Sequence, residues 1–387
     1  MPSIRTLLSA VVVMTALSAS ANSFAETIKV GMSAALTGPA SALGNGVRDG
    51  IESYFKRVNA AGGVNGNMIE LTALDDGYEP DRAAPNMDQL IDQGKVLAVL
   101  GNVGTPTAIV TVPIANAKKT LLFGAYTGAG VLRKSPPDRY IINYRASYAE
   151  ETAAMVKGLL ASGIKAEEIA FFTQNDGYGD AGYNGGIAAL KAEGFNDTDK
   201  LAHGRYPRNT TNVEQGLGTI LDAEVEPKAI IMVGAYAPCA AFIRQAKQDL
   251  PDTKFLNVSF VGSIPLLKAL GDQADGVIVT QVVPHYEADL PGVNDYRKDL
   301  QAYKAGAQPD FVSLEGYLLA KIFVEGLKKA PALDREGIIK GLESLNQLDI
   351  GINVPVSFSS SSHQASHKVW PTVIKNGKYE ILNWSEL

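Results

Sequence analysis

Glycine and hydroxyl residues follow a short apolar run at residues 100–108, where the sequence reads LGNVGTPTA. Thr105 is a residue type that caps helices, and Pro106 suits the first helical position, which needs no N–H. The start of a helix carries unpaired backbone amides and the positive end of the helix dipole. We therefore predict that Gly104, Thr105 and Thr107 present amides and hydroxyls to a carboxylate.

A similar set of small and hydroxyl residues follows a second apolar run, in GAYTGAG at residues 124–130. Tyrosine stands near glycine after two further runs, as Tyr178 in QNDGYGD and as Tyr236 in VGAYAPC. A tyrosine in such a place can pack on a ligand and donate one hydrogen bond. Helix capping, a turn or a wet surface would explain each residue alone, but together they favour a ligand cleft.

Residues suited to catalysis or metal binding are few. The sequence contains no phosphate-binding loop, dinucleotide fingerprint or nucleophile elbow. His363 and His367 lie in a serine-rich segment, which predicts a polar surface loop in preference to a metal site. Asp75 and Asp76 face opposite sides of a strand end and are interpreted as turn-capping residues. Cys239 is predicted to be a small buried helix residue. Because none of these residues forms a catalytic or metal-binding group, we expect a binding protein without cofactor or metal.

The elements that must position these residues can be read from hydrophobic periodicity. Short runs rich in valine, isoleucine and phenylalanine have the length of buried strands. They cover residues 27–34, 68–75, 96–101, 120–123, 168–173, 200–206, 229–233, 255–258 and 276–283. Between them lie amphipathic helical patterns. These cover residues 47–60, 81–93, 107–118, 149–162, 182–193, 213–222 and 238–248.

The strict alternation of strands and helices predicts an α/β fold of two doubly wound, Rossmann-like lobes with parallel sheets. Ligands of such sheets bind outside the carboxyl ends of the strands, which is where the hydroxyl and tyrosine residues are expected. The chain end differs, because Asn376 and Gly377 within residues 369–382 predict a tight β-hairpin.

The first 25 residues have the pattern of a secretory signal peptide. Arg5 provides the positive charge, an apolar run follows, and Ser23 and Ala25 are small residues at the positions a signal peptidase reads. The run is too short to span a bilayer, so we expect cleavage after Ala25 and an exported, periplasmic protein without membrane insertion.

Composition and charge indicate the class of protein and exclude some classes of binding partner. The chain of 387 residues is 46% hydrophobic and 20% charged, which is typical of a globular protein with room for two cores. Its formal charge is −6, and loss of the leader makes it one unit more negative. An acidic surface argues against nucleic acid or an anionic membrane as partner. With one cysteine, no internal disulfide can form.

Five stretches in combination resemble a known family. They are KVGMSAALTGPASALG (29–44), VNAAGGVNGNMIEL (58–71), DDGYEPDRA (75–83), LLFGAYTGAG (121–130) and VSLEGYLLAKIFVEGL (312–327). With the export leader and the order of elements, the chain resembles a type I periplasmic binding protein, and most closely the leucine/isoleucine/valine-binding receptors of ATP-driven importers. The resemblance implies two lobes joined by three crossovers, which close over a ligand.

The resemblance also implies how the ligand is held. Val103, Gly104 and Thr105, together with Thr127, would bind the ligand carboxylate, and the carbonyl of Ala125 would receive its amino group.

Further ligand contacts are implied from both lobes. Tyr126 belongs to the same strand end, Tyr178 and Tyr236 match the cleft tyrosines of the family, and Ser147 matches a position that faces the cleft just after the first crossover.

Two positions depart from the family pattern. Leu43 stands where many members place an aromatic residue, and Ser259 stands where amino-acid binders carry the acid that pairs with the ligand ammonium. An ammonium buried without a carboxylate costs several kcal/mol. Either Glu315, expected after a Ser313 helix cap, or Glu150 therefore replaces that acid, or the ligand is a carboxylate, an amide or another small polar metabolite.

We therefore expect an exported receptor that delivers an amino acid or amino-acid-like compound to the membrane permease of an ABC transporter. A receptor that reports to a sensor kinase would have the same sequence features, and so would an importer receptor for another ligand. An exported enzyme would need a catalytic constellation that the sequence does not offer. The lobes are expected at residues 26–144 with 284–354 and at 145–283 with 355–387, in a monomer.

Overall fold

The first of two β-sheets is wholly parallel. The computed structural model describes residues 26–387, so the predicted leader and its cleavage site lie outside the described residues. The strand order is β2–β1–β3–β4–β5. The strands are β1 (Ile28–Ala34), β2 (Ile69–Asp75), β3 (Ala98–Leu100), β4 (Leu121–Phe123) and β5 (Ile141–Ile142). Sequence periodicity predicts the first four and misses β5, which is only 2 residues long.

The second sheet has seven strands in the order β12–β11–β10–β9–β8–β6–β7. Five are parallel: β6 (Ile169–Gln174), β7 (His203–Tyr206), β8 (Ala229–Val233), β9 (Lys254–Asn257) and β10 (Ile278–Gln281). The last two, β11 (Trp370–Lys375) and β12 (Lys378–Ile381), form the predicted antiparallel hairpin. Asn376 and Gly377 both have positive φ, as a tight hairpin turn requires.

Helices cover both faces of each sheet. In the first lobe they are α1 (Ser41–Ala60), α2 (Pro80–Asp88), α3 (Thr105–Ala117), α9 (Pro291–Tyr303), α10 (Phe311–Lys329) and α11 (Arg335–Glu343). In the second they are α4 (Tyr148–Ala161), α5 (Gly177–Ala192), α6 (Glu214–Leu221), α7 (Tyr236–Asp249) and α8 (Ser263–Leu270). Buried aliphatic and aromatic side chains fill the space between sheets and helices. The predicted α/β fold of two doubly wound lobes is confirmed.

Helix α10 packs unusually close to α1. A Cβ atom on Gly50 or on Gly316 would overlap backbone atoms of the facing helix, so only glycine permits this approach. Asp310 caps α10 by accepting a hydrogen bond from the backbone N–H of Ser313 at 2.6 Å. The prediction that Ser313 is the cap is therefore wrong, and Glu315 lies beyond the first residues of the helix with its side chain buried.

The chain passes between the lobes by three connections. It leaves the first sheet after β5, enters the second lobe at α4, returns after β10 to α9, and crosses again between α11 and β11. The lobes touch along their facing edges, as Tyr78 and Phe260 show with ring centroids 5.8 Å apart. Within residues 26–387, no helix combines the length and apolar character needed to cross a bilayer.

Candidate functional site

The ends of β3 and β4 form the hydroxyl-lined pair of loops that the sequence predicts. Val103 and Tyr126 pair as an isolated parallel bridge just beyond these strands. This pairing brings the side chains of Thr105 and Thr127 together, with their hydroxyl oxygens 2.6 Å apart and both residues buried. Thr127 also accepts a hydrogen bond from the backbone N–H of Ala129 at 3.3 Å. We call Thr105, Thr127 and the first turn of α3 the threonine cradle.

The donors of the threonine cradle differ from those expected. Gly104, with φ of 105°, is the residue before the helix, so the prediction that Thr105 is the cap is wrong. The N–H of Gly104 donates to the carbonyl of Tyr126 at 3.2 Å, and the hydroxyl of Thr107 donates to Val103 and Gly104 carbonyls. The hydroxyls of Thr105 and Thr127 share one hydrogen bond, so one of their two hydrogens takes no part in it.

Tyr78 closes the first-lobe side of the cleft and was not among the predicted site residues. A Cβ on Gly104 would overlap the ring of Tyr78, so glycine is required where the ring lies on the backbone. Tyr78 has φ of 66°, and Asp76 holds this conformation by accepting its N–H at 2.8 Å. Burial raises the pKa of Asp76 to about 6, against the opposing hydrogen bond from Ser33. Gln174 of the second lobe donates to the Tyr78 hydroxyl at 3.2 Å.

Aromatic rings from both lobes meet around Phe260. Its centroid lies 5.6 Å from that of Tyr126 and 4.6 Å from that of Tyr178, and Tyr178 in turn lies 5.2 Å from Tyr148. The hydroxyl of Tyr178 donates to the carbonyl of Gly234 at 3.2 Å, which fixes the ring. The predicted residue Tyr178 thus lies in the cleft, beside two rings that the sequence reasoning did not single out.

Tyr236 lies at the edge of the cleft instead of its centre. It is half-buried, and the pKa of its hydroxyl is raised by burial and lowered less by the Ala42 backbone and the Ser41 hydroxyl, both at the start of α1. Leu43 is fully buried and packs so closely on Gly262 that a Cβ atom on this glycine would overlap the Leu43 side chain. Tyr236 therefore contacts the facing lobe at the start of α1.

Ser147 and Glu150 are engaged with each other at the start of α4. The hydroxyl and the N–H of Ser147 donate to Glu150 at 2.7 and 2.6 Å, and Ser147 accepts the N–H of Glu150 at 3.2 Å. Glu150 also accepts from Gln364 and contacts His367. This capping box accounts for both residues and directs the Glu150 carboxylate towards the third connection between the lobes.

Charged groups that the sequence reasoning overlooked join the lobes near the first connection. Arg145 lies on that connection and is 1% exposed. Its guanidinium carbon is 4.5 Å from the centroid of the Tyr126 ring, its Nε is 3.3 Å from Oε1 of Glu315, and its Nη2 donates to the hydroxyl of Ser259. We use the name hinge cluster for five residues: Tyr126, Arg145, Ser259, Glu315 and Glu151, which is described next.

Glu151 supplies a carboxylate at Ser259, the position where the resemblance implies a missing acid. Its oxygens accept the N–H of Ser259 at 2.8 Å, the hydroxyl of Ser259 at 2.9 Å and the hydroxyl of Thr280 at 2.6 Å. Burial raises the pKa of Glu151, and Arg145 opposes that shift. Sequence reasoning considered only Glu150 and Glu315 for this role.

Burial also controls the ionisation of Glu315. It raises the pKa of Glu315 to about 7, although the positive charge of Arg145 opposes the shift. Burial alone would lower the pKa of Arg145, but Glu315, Tyr126 and Glu151 together hold it above its usual range. The guanidinium therefore stays charged, while the Glu315 carboxyl can gain or lose a proton near neutral pH.

A second set of polar contacts joins the lobes at the open side of the cleft. Arg208 pairs with Glu79 at 2.7 Å and with Asp176 at 3.2 Å, and Asn209 donates to Glu79 at 2.6 Å. The Arg208 and Glu79 side chains are 24% and 40% exposed, so water reaches this pair. We call these four residues the mouth cluster.

A cavity of about 400 Å³ opens beside the mouth cluster. Pro39 and Ala40 of the first lobe line one side of it, and Gln174, Tyr206 and Asn209 of the second lobe line the other. None of the predicted ligand contacts borders this cavity. It is therefore a second position, distinct from the threonine cradle, where a group could lie between the lobes.

The other reactive residue types have structural roles. Asp75 accepts backbone N–H groups of Leu36 and Gly77 at 2.9 and 3.0 Å, which confirms its interpretation as a turn-capping residue. Cys239 is buried on α7, as predicted. His363 is buried and hydrogen-bonded to the carbonyl of Ile141 at 2.9 Å, so its prediction as a surface-loop residue is wrong, whereas His367 is exposed. Among the described residues, no three acidic, histidine or cysteine side chains are grouped to hold a metal ion.

Signals for the overlooked residues differ in strength. Tyr78 follows glycine at a strand end, which is the same pattern that singled out Tyr178. Arg145 is an isolated charge within NYRAS, and Phe260 follows a predicted strand closely. Glu151 stands in a helix among other polar residues, where nothing in the sequence distinguishes it from a solvent-exposed acid.

Comparison with known proteins gives a consistent result. The sequence profile of the family described as periplasmic binding protein matches residues 27–378. The leucine-, isoleucine-, valine-, threonine- and alanine-binding protein of Pseudomonas aeruginosa is 25% identical over 334 residues, which are 83% of this chain and 83% of that protein. The Leu/Ile/Val-binding protein of Escherichia coli K12 is 24% identical over 360 residues, 85% of this chain and 92% of that protein.

A solved structure is more similar in sequence. It is the crystal structure of a possible leucine/isoleucine/valine-binding protein from Rhodopirellula baltica SH 1, which is 50% identical with a TM-score of 0.91. The match covers 94% of this chain and 98% of that chain. Sequence, fold and lobe arrangement therefore agree over nearly the whole described chain, as the five quoted stretches predict.

Proposed function

The chain belongs to the periplasmic binding protein family, among the type I leucine/isoleucine/valine-binding proteins, and from this premise we propose that it is a receptor for an amino acid or amino-acid-like compound. The ligand would bind between the lobes, with a carboxylate at the threonine cradle. The observation that carries this proposal is the buried contact between Thr105 and Thr127 at the start of α3, where the helix dipole favours an anion.

Binding would proceed by closure of the lobes. The ligand would first contact the threonine cradle of the first lobe, and Tyr178 and Tyr236 of the second lobe would then approach and exclude water. Such a ligand shifts the population towards the closed form because it makes more contacts there. The contact of Gln174 with Tyr78 across the lobes supports this closing motion.

The remaining parts of the proposal concern location and delivery. Residues 1–25 would direct export and be removed after Ala25, which would place the receptor in the periplasm as a monomer. Its closed form would deliver the ligand to the membrane permease of an ABC importer. The lobes would comprise residues 26–144 with 284–354 and residues 145–283 with 355–387. No catalytic step is part of this function.

Two other roles remain for the same cleft. The closed form could signal to a sensor kinase, which a binding assay with the purified membrane partner would distinguish from delivery to a permease. The importer could also carry a ligand that is not an amino acid. The hinge cluster favours keeping carboxylates among the possible ligands. Ser259 would replace the acid of amino-acid binders, and Glu151, which reaches the same position, already accepts a hydrogen bond from Ser259.

The proposal can be tested with residues 26–387 after unfolding and refolding, which removes any ligand carried through purification. A ligand that binds only the folded protein raises its melting temperature. Amino acids, carboxylates and amides would be screened in this way, and the strongest ligand titrated calorimetrically into the Thr105→Val/Thr127→Val variant. Loss of hydroxyls that bond a charged group should weaken binding about 10- to 100-fold.

Thr111→Val is the matched control for this double variant. Thr111 lies on the same helix, is fully buried, and has a hydroxyl without a hydrogen-bond partner among the described residues. Its removal should leave both affinity and melting temperature nearly unchanged. Equal affinity of the wild type and the double variant would show that the ligand binds elsewhere.

A further inference from the structure

Arg145 combines near-complete burial with unused hydrogen-bonding capacity. Its Nε and Nη1 have no hydrogen-bond partner among the described residues, although Nε lies 3.3 Å from Glu315. A buried N–H without an acceptor costs free energy, and more so on a charged group. The guanidinium therefore has two donors that an acceptor group of a ligand would stabilise.

These donors are separate from those of the threonine cradle. Thr127 follows Tyr126 in the chain, so the cradle lies at the backbone end of Tyr126, whereas Arg145 covers the face of its ring. The hydroxyl of Tyr126 donates to the carbonyl of Ser259 at 3.4 Å, which places Ser259 at the far end of that ring, and Nη2 of Arg145 reaches the Ser259 hydroxyl from the ring face. Hydrogen-bond donors therefore lie at two places along the Tyr126 side chain, with the threonine cradle at its backbone end and Arg145 over its ring.

The carboxylate of Glu151 in the hinge cluster is already used. Both oxygens of Glu151 accept hydrogen bonds from Ser259, and one also accepts from Thr280. Apart from the ion pair of Nε with Glu315, Nε and Nη1 of Arg145 have no acceptor among the described residues. A ligand that provides an acceptor for these donors must place oxygen atoms beside Arg145.

We propose that Arg145 determines specificity by binding a second carboxylate of the ligand, so that the receptor takes small dicarboxylates, with or without an amino group. This inference rests on the proposed function, because it assumes that the first carboxylate lies at the threonine cradle. A planar guanidinium matches a carboxylate through two parallel N–H···O bonds, and such charge-assisted bonds are strong in a water-excluded site.

Glu315 competes with that ligand carboxylate for Arg145. Its pKa of about 7 results from burial, and a second negative charge beside it favours the protonated form further. Ligand binding should therefore take up a proton, and affinity should fall as pH rises from 6 to 8. The charged and titratable groups that face Glu315 are Arg145 and Tyr144 from the connection, Arg133 and Tyr126 from the loop after β4, and Glu151 from α4.

The test uses calorimetric titration of refolded residues 26–387 with three probes. Succinate and L-aspartate carry two carboxylates, without and with an ammonium group, and L-leucine carries one. We expect at least one dicarboxylate to bind about tenfold or more tightly than L-leucine, and more tightly at pH 6 than at pH 8. The relative strength of succinate and L-aspartate shows whether the ligand carries an amino group.

Two variants separate ligand binding from folding. Arg145→Lys keeps the charge and loses the planar fork, so the dicarboxylate should lose about tenfold or more in affinity relative to L-leucine. Glu315→Gln removes the competing charge, so dicarboxylate affinity at pH 8 should rise to its pH 6 value. A gain of binding cannot arise from misfolding. Arg139→Lys, in an ion-paired arginine of the first lobe, is the matched control.

Each alternative outcome has a defined meaning. Tighter binding of L-leucine than of either dicarboxylate, with an unchanged ratio in Arg145→Lys, overturns the inference and leaves the proposed function intact. If none of the three probes binds, the inference is also overturned, and the wider screen decides the proposed function separately. Binding of the dicarboxylates that is insensitive to Arg145→Lys places their second carboxylate elsewhere and contradicts the assignment.

Discussion

The hinge cluster and the mouth cluster both join the two lobes, but they differ in their contact with water. In the hinge cluster, Arg145 is 1% exposed and Glu315 is 5% exposed. In the mouth cluster, Glu79 is 40% exposed on its side chain and its pair with Arg208 is solvated. The same type of ion pair should therefore have a large effect at one end of the cleft and a small one at the other.

The difference also suggests a division of roles. Charges in the dry hinge cluster interact strongly with any ligand group that enters, because little water screens them. Charges in the mouth cluster are screened, so they can favour the closed form without distinguishing between ligands. Selectivity would then depend on Arg145, Glu151 and Glu315, and the ease of closure on Glu79 and Arg208.

The largest effect is expected from Glu151→Ala. The substitution leaves the N–H and hydroxyl of Ser259 and the hydroxyl of Thr280 without their acceptor, and it removes a negative charge beside Arg145. Breaking a buried charged network of this kind costs about 3–5 kcal/mol in the free energy of unfolding. Urea denaturation would measure the loss, with Glu151→Gln as the variant that keeps an acceptor oxygen. A loss below about 1 kcal/mol would mean that the hinge cluster is not a tightly coupled network.

A pH-dependent stability difference is expected next in size, from Glu315. Its pKa is about 7 in the folded protein, against an ordinary value of 4.5 for a glutamate, so the folded state binds more protons between these values. Its contribution is complete below about pH 4.5 and is lost as pH rises through 7. Wild type should therefore lose about 3 kcal/mol relative to Glu315→Gln between pH 4.5 and 8.

This comparison isolates Glu315 from other groups that titrate in the same range. Asp76, with a pKa raised to about 6 by burial, is present in both proteins and cancels in the difference. Denaturation curves at pH 5, 6, 7 and 8 are sufficient. Parallel pH profiles of the two proteins would show that Glu315 does not exchange its proton in this range.

The smallest effect is expected in the mouth cluster. Glu79→Ala removes the partner of Arg208 and Asn209 at a site that water reaches, so the free energy of unfolding should fall by at most about 1 kcal/mol. The change should shrink further in 1 M salt. A double-mutant cycle with Arg208→Ala at low and high salt gives the coupling directly. A coupling as large as that of Glu151, or one insensitive to salt, would remove the contrast between the two clusters.

Much of the fold could be predicted from the sequence, because alternating strands and helices leave a strong periodic pattern. The pairing of Thr105 with Thr127 was also accessible, since the carboxyl ends of adjacent parallel strands meet at one edge. The cap of α3 was misassigned because Gly104 adopts a backbone conformation that hydroxyl residues rarely take. Tyr78 could have been found from the same glycine–tyrosine pattern as Tyr178.

The hinge cluster could not be predicted in the same way. Whether Arg145 and Glu151 are buried depends on how two separately folded lobes dock, and that arrangement has no periodic signal in the sequence. The departure at Ser259 indicated that a charge is missing, but not that Glu151 reaches it from α4. The sequence thus identifies the position of the change in specificity, whereas the docked lobes are needed to identify the groups that cause it.

The proposed ligand spans the cleft from the threonine cradle to Arg145. A crystal structure of the refolded protein with succinate or L-aspartate tests it most directly. We expect one carboxylate within hydrogen-bonding distance of the Thr127 hydroxyl and the other against Nε and Nη1 of Arg145. Ligand density in the 400 Å³ cavity beside Gln174 and Asn209, with Arg145 unchanged, would contradict it.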